Sequence, residues 1–221
     1  MEKKLPLEEM SISDVYMNSQ NTITYSIPVY QRNYAWEEEQ ITALVKDVYD
    51  SWQKNSSAPY YIGTLVTYRR NDREYEVIDG QQRLTTVYLI IKAMGIKDVK
   101  NKLTYSARST STFTIERLNK DEKLGDEADV GIRNGYEFAN KALKSIVLSD
   151  ERKGFQEYFL QHVKLIHYDV PKDVNLNHYF EVMNSRGEQL EKHEIVKSML
   201  GQYLNSSSWL PFVVFGRHAV K

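Results

Sequence analysis

The chain has 221 residues, 41% of them hydrophobic, enough to fill the core of one large domain or two small ones. Its 29 basic and 30 acidic residues leave a formal net charge of −1, so no global field draws in nucleic acid. A polyanion site must therefore be a local cluster of Arg and Lys, which favours a pocket over a groove. The absence of cysteine excludes a disulfide framework, a thiolate metal site and a cysteine nucleophile, and it suits a reducing, cytoplasmic compartment. Residues 1–10 carry Lys3 and Lys4 without an apolar signal core, and no run is long enough to cross a bilayer, so neither export nor a membrane partner is expected.

In chain order, Thr22 to Tyr30 reads as a short extended segment, with Pro28 forcing Ile27 out of the helical region. A turn holding Gln31 and Arg32 follows. From Gln40, the residues Ile41, Leu44, Val45, Val48 and Trp52 mark one face of an amphipathic helix, and Glu37, Glu38 and Glu39 stand where its dipole favours acid. After a polar break over 54–59, Tyr61 to Tyr68 and Glu74 to Ile78 read as two strands of a hairpin turning at Arg70-Asn71-Asp72. The helix over Leu84 to Met94 is apolar on nearly every side, as a helix in the middle of a domain should be, and Gly95 stops it. Tyr25, Tyr30, Tyr34, Tyr60 and Tyr61, among 16 tyrosines, suit half-buried positions whose hydroxyls reach a polar pocket.

Leu103 to Ile115, rich in Ser, Thr and β-prone residues, reads as a further hairpin, and Asn119 to Gly131 as a charged, mobile surface connection. Asn134 to Leu148 and Gly154 to His162 read as helices, and Val163 to Val170 as a strand closed by Pro171. Leu176, Tyr179, Phe180 and Met183 mark a helix face running into Asn184-Ser185-Arg186-Gly187, where Gly187 is a natural stop. A last helix carries Ile195, Val196, Met199, Leu200 and Tyr203. The tail opens with the polar residues 205–208 and turns apolar at Trp209 to Phe215, which suggests a piece of something longer. The expected organisation is a first part over 1–100, a second over 101–204 made of a β-hairpin and helices, and a tail over 205–221.

The most informative run is Asp79-Gly80-Gln81-Gln82-Arg83. A strand that ends at a glycine and feeds directly into a helix leaves the first N–H groups of that helix without partners, at the positive end of its dipole, where an anion belongs. Arg83 adds a forked, permanently charged donor suited to phosphate, and the two glutamines add amides that can also hold a water. The plain structural alternative is a strand-to-helix turn whose Arg83 pairs with Asp79.

Three separated motifs coincide with this turn: Ile27 to Trp36 (IPVYQRNYAW), Ile78 to Thr86 (IDGQQRLTT) and Phe180 to Gly187 (FEVMNSRG) with Leu190 and Lys197. Together they closely resemble the N-terminal domain of GmrSD-type, modification-dependent restriction endonucleases, over about residues 10–204. That resemblance implies an α+β fold related to ParB and sulfiredoxin, a small mixed sheet with packed helices followed by a mainly helical part. In such folds a GxxR turn opening a helix, here Gly80 to Arg83, binds nucleotide phosphates. Where sulfiredoxin has its catalytic cysteine this chain has Gln81, so sulfinic-acid reduction is excluded.

The resemblance further implies nucleoside triphosphate binding and hydrolysis with Mg²⁺, coupled to cleavage of modified phage DNA by an HNH-type nuclease domain or partner subunit. The five histidines, His162, His167, His178, His193 and His218, stand singly and none lies in an HNH-like context. The expected site has Arg83 and the N–H groups of Gln81 and Gln82 on the phosphates, at Gly80, with Arg32 bringing a second cation. Charge stabilisation is then the main catalytic effect. Gln31, Gln81 or Gln82 orients the attacking water, and Asp79 holds the divalent cation directly or through water. Asn184, Arg186 and Gly187 close the pocket over the nucleotide. Trp36 and Tyr34 read as core or pocket-wall aromatics. The rival readings are a ParB-like DNA-binding or nicking module regulated by nucleotide, and a non-catalytic interaction scaffold. Self-association into a homo-oligomer is compatible with all three.

Overall fold

The structure is a computed structural model that describes residues 7–18, 22–97, 99–100 and 102–172. The chain divides into two compact units, Met1–Val170 and Pro171–Lys221, and the fold described is that of the first. It is α+β, built on a mixed six-stranded sheet. The strands are β1 (Leu7–Ser11), β2 (Thr24–Ile27), β3 (Tyr60–Asn71), β4 (Glu74–Asp79), β5 (Lys102–Tyr105) and β6 (Val163–Val170), in the spatial order β1-β6-β3-β4-β2-β5. The helices are α1 (Ile12–Tyr16), α2 (Glu38–Lys54), α3 (Gln81–Ala93), α4 (Ser109–Asn119), α5 (Val130–Ile146) and α6 (Arg152–Gln161).

The β3–β4 hairpin forms where the alternating pattern and its turn predict it. The Asn71 side chain accepts from the Arg73 N–H at 2.9 Å, so the turn supplies its own backbone with a partner. β2 is short because Pro28 follows Ile27, yet it lies inside the sheet, parallel to β4 on one side and to β5 on the other. The long α2 buries Ile41, Val45 and Val48, the stripe expected of it.

Residues 103–115 are not a hairpin. Lys102–Tyr105 is a single strand added to the edge of the sheet beside β2, and the chain then enters α4. The buried stripe of α4 is Ser111, Thr114, Ile115 and Leu118, a helical spacing in which two of the four positions carry hydroxyls. Those hydroxyls are satisfied internally: Ser111 Oγ donates to Asp129 at 2.5 Å, and Thr114 Oγ1 donates to the Thr110 carbonyl at 2.7 Å. A Ser/Thr-rich helix of this kind hides its apolar period. β1 and α1 also lie outside the sequence expectations. Ser11 ends β1 and opens α1 with a capping box, its hydroxyl accepting from the Asp14 N–H at 3.1 Å while Asp14 accepts from the Ser11 N–H at 2.8 Å.

At the centre lies α3, of which every residue except Arg83 and Ala93 is buried. Its apolar residues Leu84, Val87, Leu89, Ile90 and Ile91 join one core with Tyr16, Tyr25, Ile41, Val45, Phe155 and Phe159. Tyr16 donates to the Leu84 carbonyl at 2.7 Å, so even the aromatic packing against α3 carries a hydrogen bond. Its C-terminal end is served by a cation: Lys92, 4% exposed, donates to the Ile96 carbonyl at 3.2 Å and to Asp121 at 3.1 Å. The helix that opens at the candidate turn is thus the part of the unit with least room to move.

Candidate functional site

Gly80 is the N-cap of α3 and takes a left-handed conformation, φ 94° and ψ 7°. A β-carbon there would stand 2.8 Å from the Thr64 carbonyl oxygen of β3, so both the backbone conformation and the close approach require glycine. The first intrahelical bond runs from the Leu84 N–H to the Gly80 carbonyl at 2.9 Å. No side chain caps this end and no acid stands in its first turn. The N–H groups of Gln81, Gln82 and Arg83 lie ahead of the helical ladder, at the positive end of a 13-residue helix.

Arg83 is held from the strand side. Its Nη2 donates to the Thr64 carbonyl at 2.6 Å and lies 3.7 Å from the Asp79 carboxylate, while its side chain keeps 30% of its surface exposed. Its Nε is buried without a hydrogen-bond partner. The guanidinium lies against Gly63, where a β-carbon would stand 3.2 Å from Arg83 Cζ. Gly63 has φ 112° and falls within a register irregularity of β3 against β6. The sequence reading missed this residue. Its signal was a lone glycine inside a strand pattern, which marks a bulge or a close approach.

From the other side, the first motif folds over the turn and is tied to it at five points. Gln31 Nε2 donates to the Ile78 carbonyl at 2.6 Å. Gln81 Nε2 donates to the Arg32 carbonyl at 2.8 Å. Gln82 makes a two-point contact with the loop backbone: Nε2 donates to Asn33 O at 2.9 Å, and Oε1 accepts from the Ala35 N–H at 2.9 Å. The Tyr34 and Thr86 hydroxyls meet at 2.8 Å. The Arg32 side chain is exposed and has no partner among the described residues.

Two buried threonines lock the first turn of α3. Thr85 donates to the Gln81 carbonyl at 2.8 Å, and Thr86 to the Gln82 carbonyl at 2.9 Å. With each threonine proton so engaged, Tyr105 and Tyr34 donate to them in turn. Burial pushes the Tyr34 hydroxyl up to about 12, and burial also raises that of Tyr105. Both therefore stay protonated donors at neutral pH. Arg108, just ahead of α4, donates to the Gln31 carbonyl and completes the frame.

The structure thus brings together Gln31, Arg32, Asp79, Gly80, Gln81, Gln82 and Arg83 at one strand-to-helix turn. Asp79, Gly80 and Arg83 are partly exposed there, while Gln81 and Gln82 are buried. Asn184, Arg186 and Gly187 lie outside the described residues. The aromatic expectations divide. Tyr25 and Tyr34 are core residues, Tyr60 and Tyr61 are half-buried, and Tyr30 is half exposed, donating to Glu76 at 2.7 Å. Among the described residues no group of three or more His, Asp or Glu side chains is arranged to hold a metal, and no helix is long and apolar enough to cross a membrane.

An α+β domain organised around one glycine-opened, uncapped central helix is the class that fold and turn define. The chain belongs to the family of the GmrSD restriction endonuclease N-terminal domain, which matches residues 12–201. That membership carries a role in a restriction system. A comparison with curated proteins found no match.

Proposed function

We propose that this chain binds a nucleoside triphosphate at the Gly80 turn and hydrolyses it, passing nucleotide state to a nuclease domain or subunit that cuts DNA. The observation that carries this reading is the opening of α3. Side chains close the N-termini of α1, α2 and α5. α4 and α6 lack such caps as well, but among the described helices only α3 opens at a left-handed glycine, with no cap, no acid and a partly exposed arginine in its first turn. Phosphate oxygens supply what the N–H groups of Gln81, Gln82 and Arg83 lack, and the permanent charges of Arg83 and the exposed Arg32 flank the same turn. Gln82, with both side-chain atoms engaged by the loop, serves as scaffold in this reading.

The site also suits Mg²⁺, which takes one or two carboxylates and completes its shell with phosphate oxygens and water. Asp79 is the carboxylate at the turn, 22% exposed at its side chain, and would hold the ion directly or through water. The ion would supply charge neutralisation on the phosphates. Arg83 would hold the phosphate chain, Thr64 O and Gly63 would fix the plane of its guanidinium, and the Thr85 and Thr86 pairs would hold the helix end in place.

Calorimetric titration of nucleoside triphosphates with Mg²⁺ tests the reading. Binding is expected in the wild type, and Arg83→Ala is expected to weaken it about 10- to 100-fold, the worth of one or two hydrogen bonds to a charged group. Undiminished binding in Arg83→Ala removes the site assignment. Binding to plain duplex DNA with a steep salt slope and no nucleotide effect turns the reading to a direct DNA-binding module.

A further inference from the structure

We infer that Gln81 is the residue that orients the attacking water, through its side-chain Oε1, and that Gln31 and Gln82 do not share this task. The inference rests on the triphosphate reading and assigns a role inside it. All three glutamines have the right chemistry, an amide that accepts from water without taking its proton. Their hydrogen bonds separate them. Gln82 has both amide atoms bound to the backbone of Asn33 and Ala35, so neither is left for a water, and diverting either would take away one of the five ties between loop and turn. Gln31 donates to the Ile78 carbonyl and is only partly buried, and its oxygen is not among the buried side-chain atoms left without a partner.

Gln81 differs from both. It is 3% exposed, its Nε2 is fixed on the Arg32 carbonyl, and its Oε1 is buried with no donor in reach. A buried acceptor left unpaired costs about 1–3 kcal/mol, so it is a feature in need of a physical reason. The amide cannot turn to relieve it, because its nitrogen is held by Arg32 O and its own backbone carbonyl is braced by Thr85 and Tyr105. An amide oxygen repels phosphate oxygens and attracts O–H groups. At the end of a helix suited to phosphate, the partner that fits it is a water placed against the terminal phosphorus. Since the oxygen is closed to solvent, a donor reaches it only when the turn yields to an incoming ligand, which ties water placement to the seating of the phosphates.

In the step itself the water oxygen bonds to the terminal phosphorus, and the bond from that phosphorus to the bridging oxygen breaks. The electron pair stays on the departing diphosphate, and the water proton passes to an oxygen of the released phosphate. Gln81 accepts a hydrogen bond from the water and neither gains nor loses a proton.

The test compares wild type with Gln81→Met and Gln81→Glu. It measures affinity for a non-hydrolysable triphosphate analogue with Mg²⁺, and single-turnover phosphate release from the hydrolysable nucleotide. Gln81→Met is expected to bind the analogue within about threefold of wild type while phosphate release falls about 100-fold, the scale of a misplaced reactant. Wild-type hydrolysis in a Gln81→Met protein that binds normally overturns the inference. So does a wild type that binds the nucleotide but never hydrolyses it, an outcome that leaves the binding reading standing. A wild type that binds no nucleotide defeats the binding reading itself. Gln81→Glu covers a Gln81→Met chain that does not fold. Its ionisable acceptor must give phosphate release a pH dependence absent from the wild type, and superimposable pH profiles overturn the inference.

Discussion

The N-termini of α3 and α5 solve the same problem in opposite ways. Asp129 closes α5: its carboxylate accepts from the Ile132 N–H at 3.1 Å and from Ser111 Oγ at 2.5 Å, and its own N–H is received by Thr114 Oγ1 at 2.8 Å. At α3 the equivalent place is held by Gly80, which has no side chain to offer, and the neighbouring glutamines face the loop. The α5 end is complete within the protein. The α3 end receives no side-chain cap, and it sits on the most buried helix, where a change of position would be felt throughout the core. A helix end that a protein leaves unfinished at its rigid centre is a place to look for ligand chemistry.

The contrast can be broken from either side. Gly80→Val is expected to have the largest effect, a loss of about 3 kcal/mol in urea unfolding, because the side chain meets both the left-handed backbone and the Thr64 carbonyl. A variant as stable as wild type would show that β3 does not hold the turn as described. Gln82→Ala removes two hydrogen bonds to the loop backbone and should cost about 2 kcal/mol, measured the same way. It should also leave residues 33–35 faster to exchange their amide hydrogens. Asp129→Ala sharpens the comparison. It should cost about 1 kcal/mol through the lost cap and leave triphosphate affinity within error, the reverse of what Arg83→Ala does.

The smallest effect lies at the far end of α3. The Asp121 carboxyl is held below its ordinary value of 3.8, chiefly by the hydrogen bond from Lys92 and then by the charges of Lys92 and Lys97. A depressed value means that the folded protein sheds this proton more readily than the unfolded chain. The contribution to stability is therefore whole above 3.8 and is lost as pH falls through the lower folded value. Asp121→Asn should lower Tm slightly across the neutral range, where the contribution is whole, and converge on the wild type in acid, so that the acid limb of its Tm-against-pH curve is flatter. An acid limb as steep as that of the wild type would show that the pair is not formed in solution.

The parts of the fold that could be read from sequence are those in which apolar period and punctuation agree. The stripe from Ile41 to Val48, the β3–β4 alternation and the apolar run of α3 ending before Gly95 each have one solution. α4 was concealed because its core face is written half in hydroxyls, and β1 and α1 because five residues each are too few to show a period. At the site, the DGQQR turn announced its backbone shape, since a glycine between strand and helix has few alternatives. The division of labour among the glutamines could not be read. Gln31 and Gln82 are engaged by backbone groups 47 to 49 positions away, and a carbonyl leaves no trace in residue identity.

The contact between Gly63 and Arg83 separates two properties that usually travel together. The group that would touch a ligand sits on one element, while the surface that sets its height sits on another, a bulged strand that would make no contact of its own. Lifting the guanidinium by a methyl group at position 63 would retune how far its charge reaches without altering any residue of the turn. Gain, in the sense of a dial on an instrument, is thus adjustable from behind the panel.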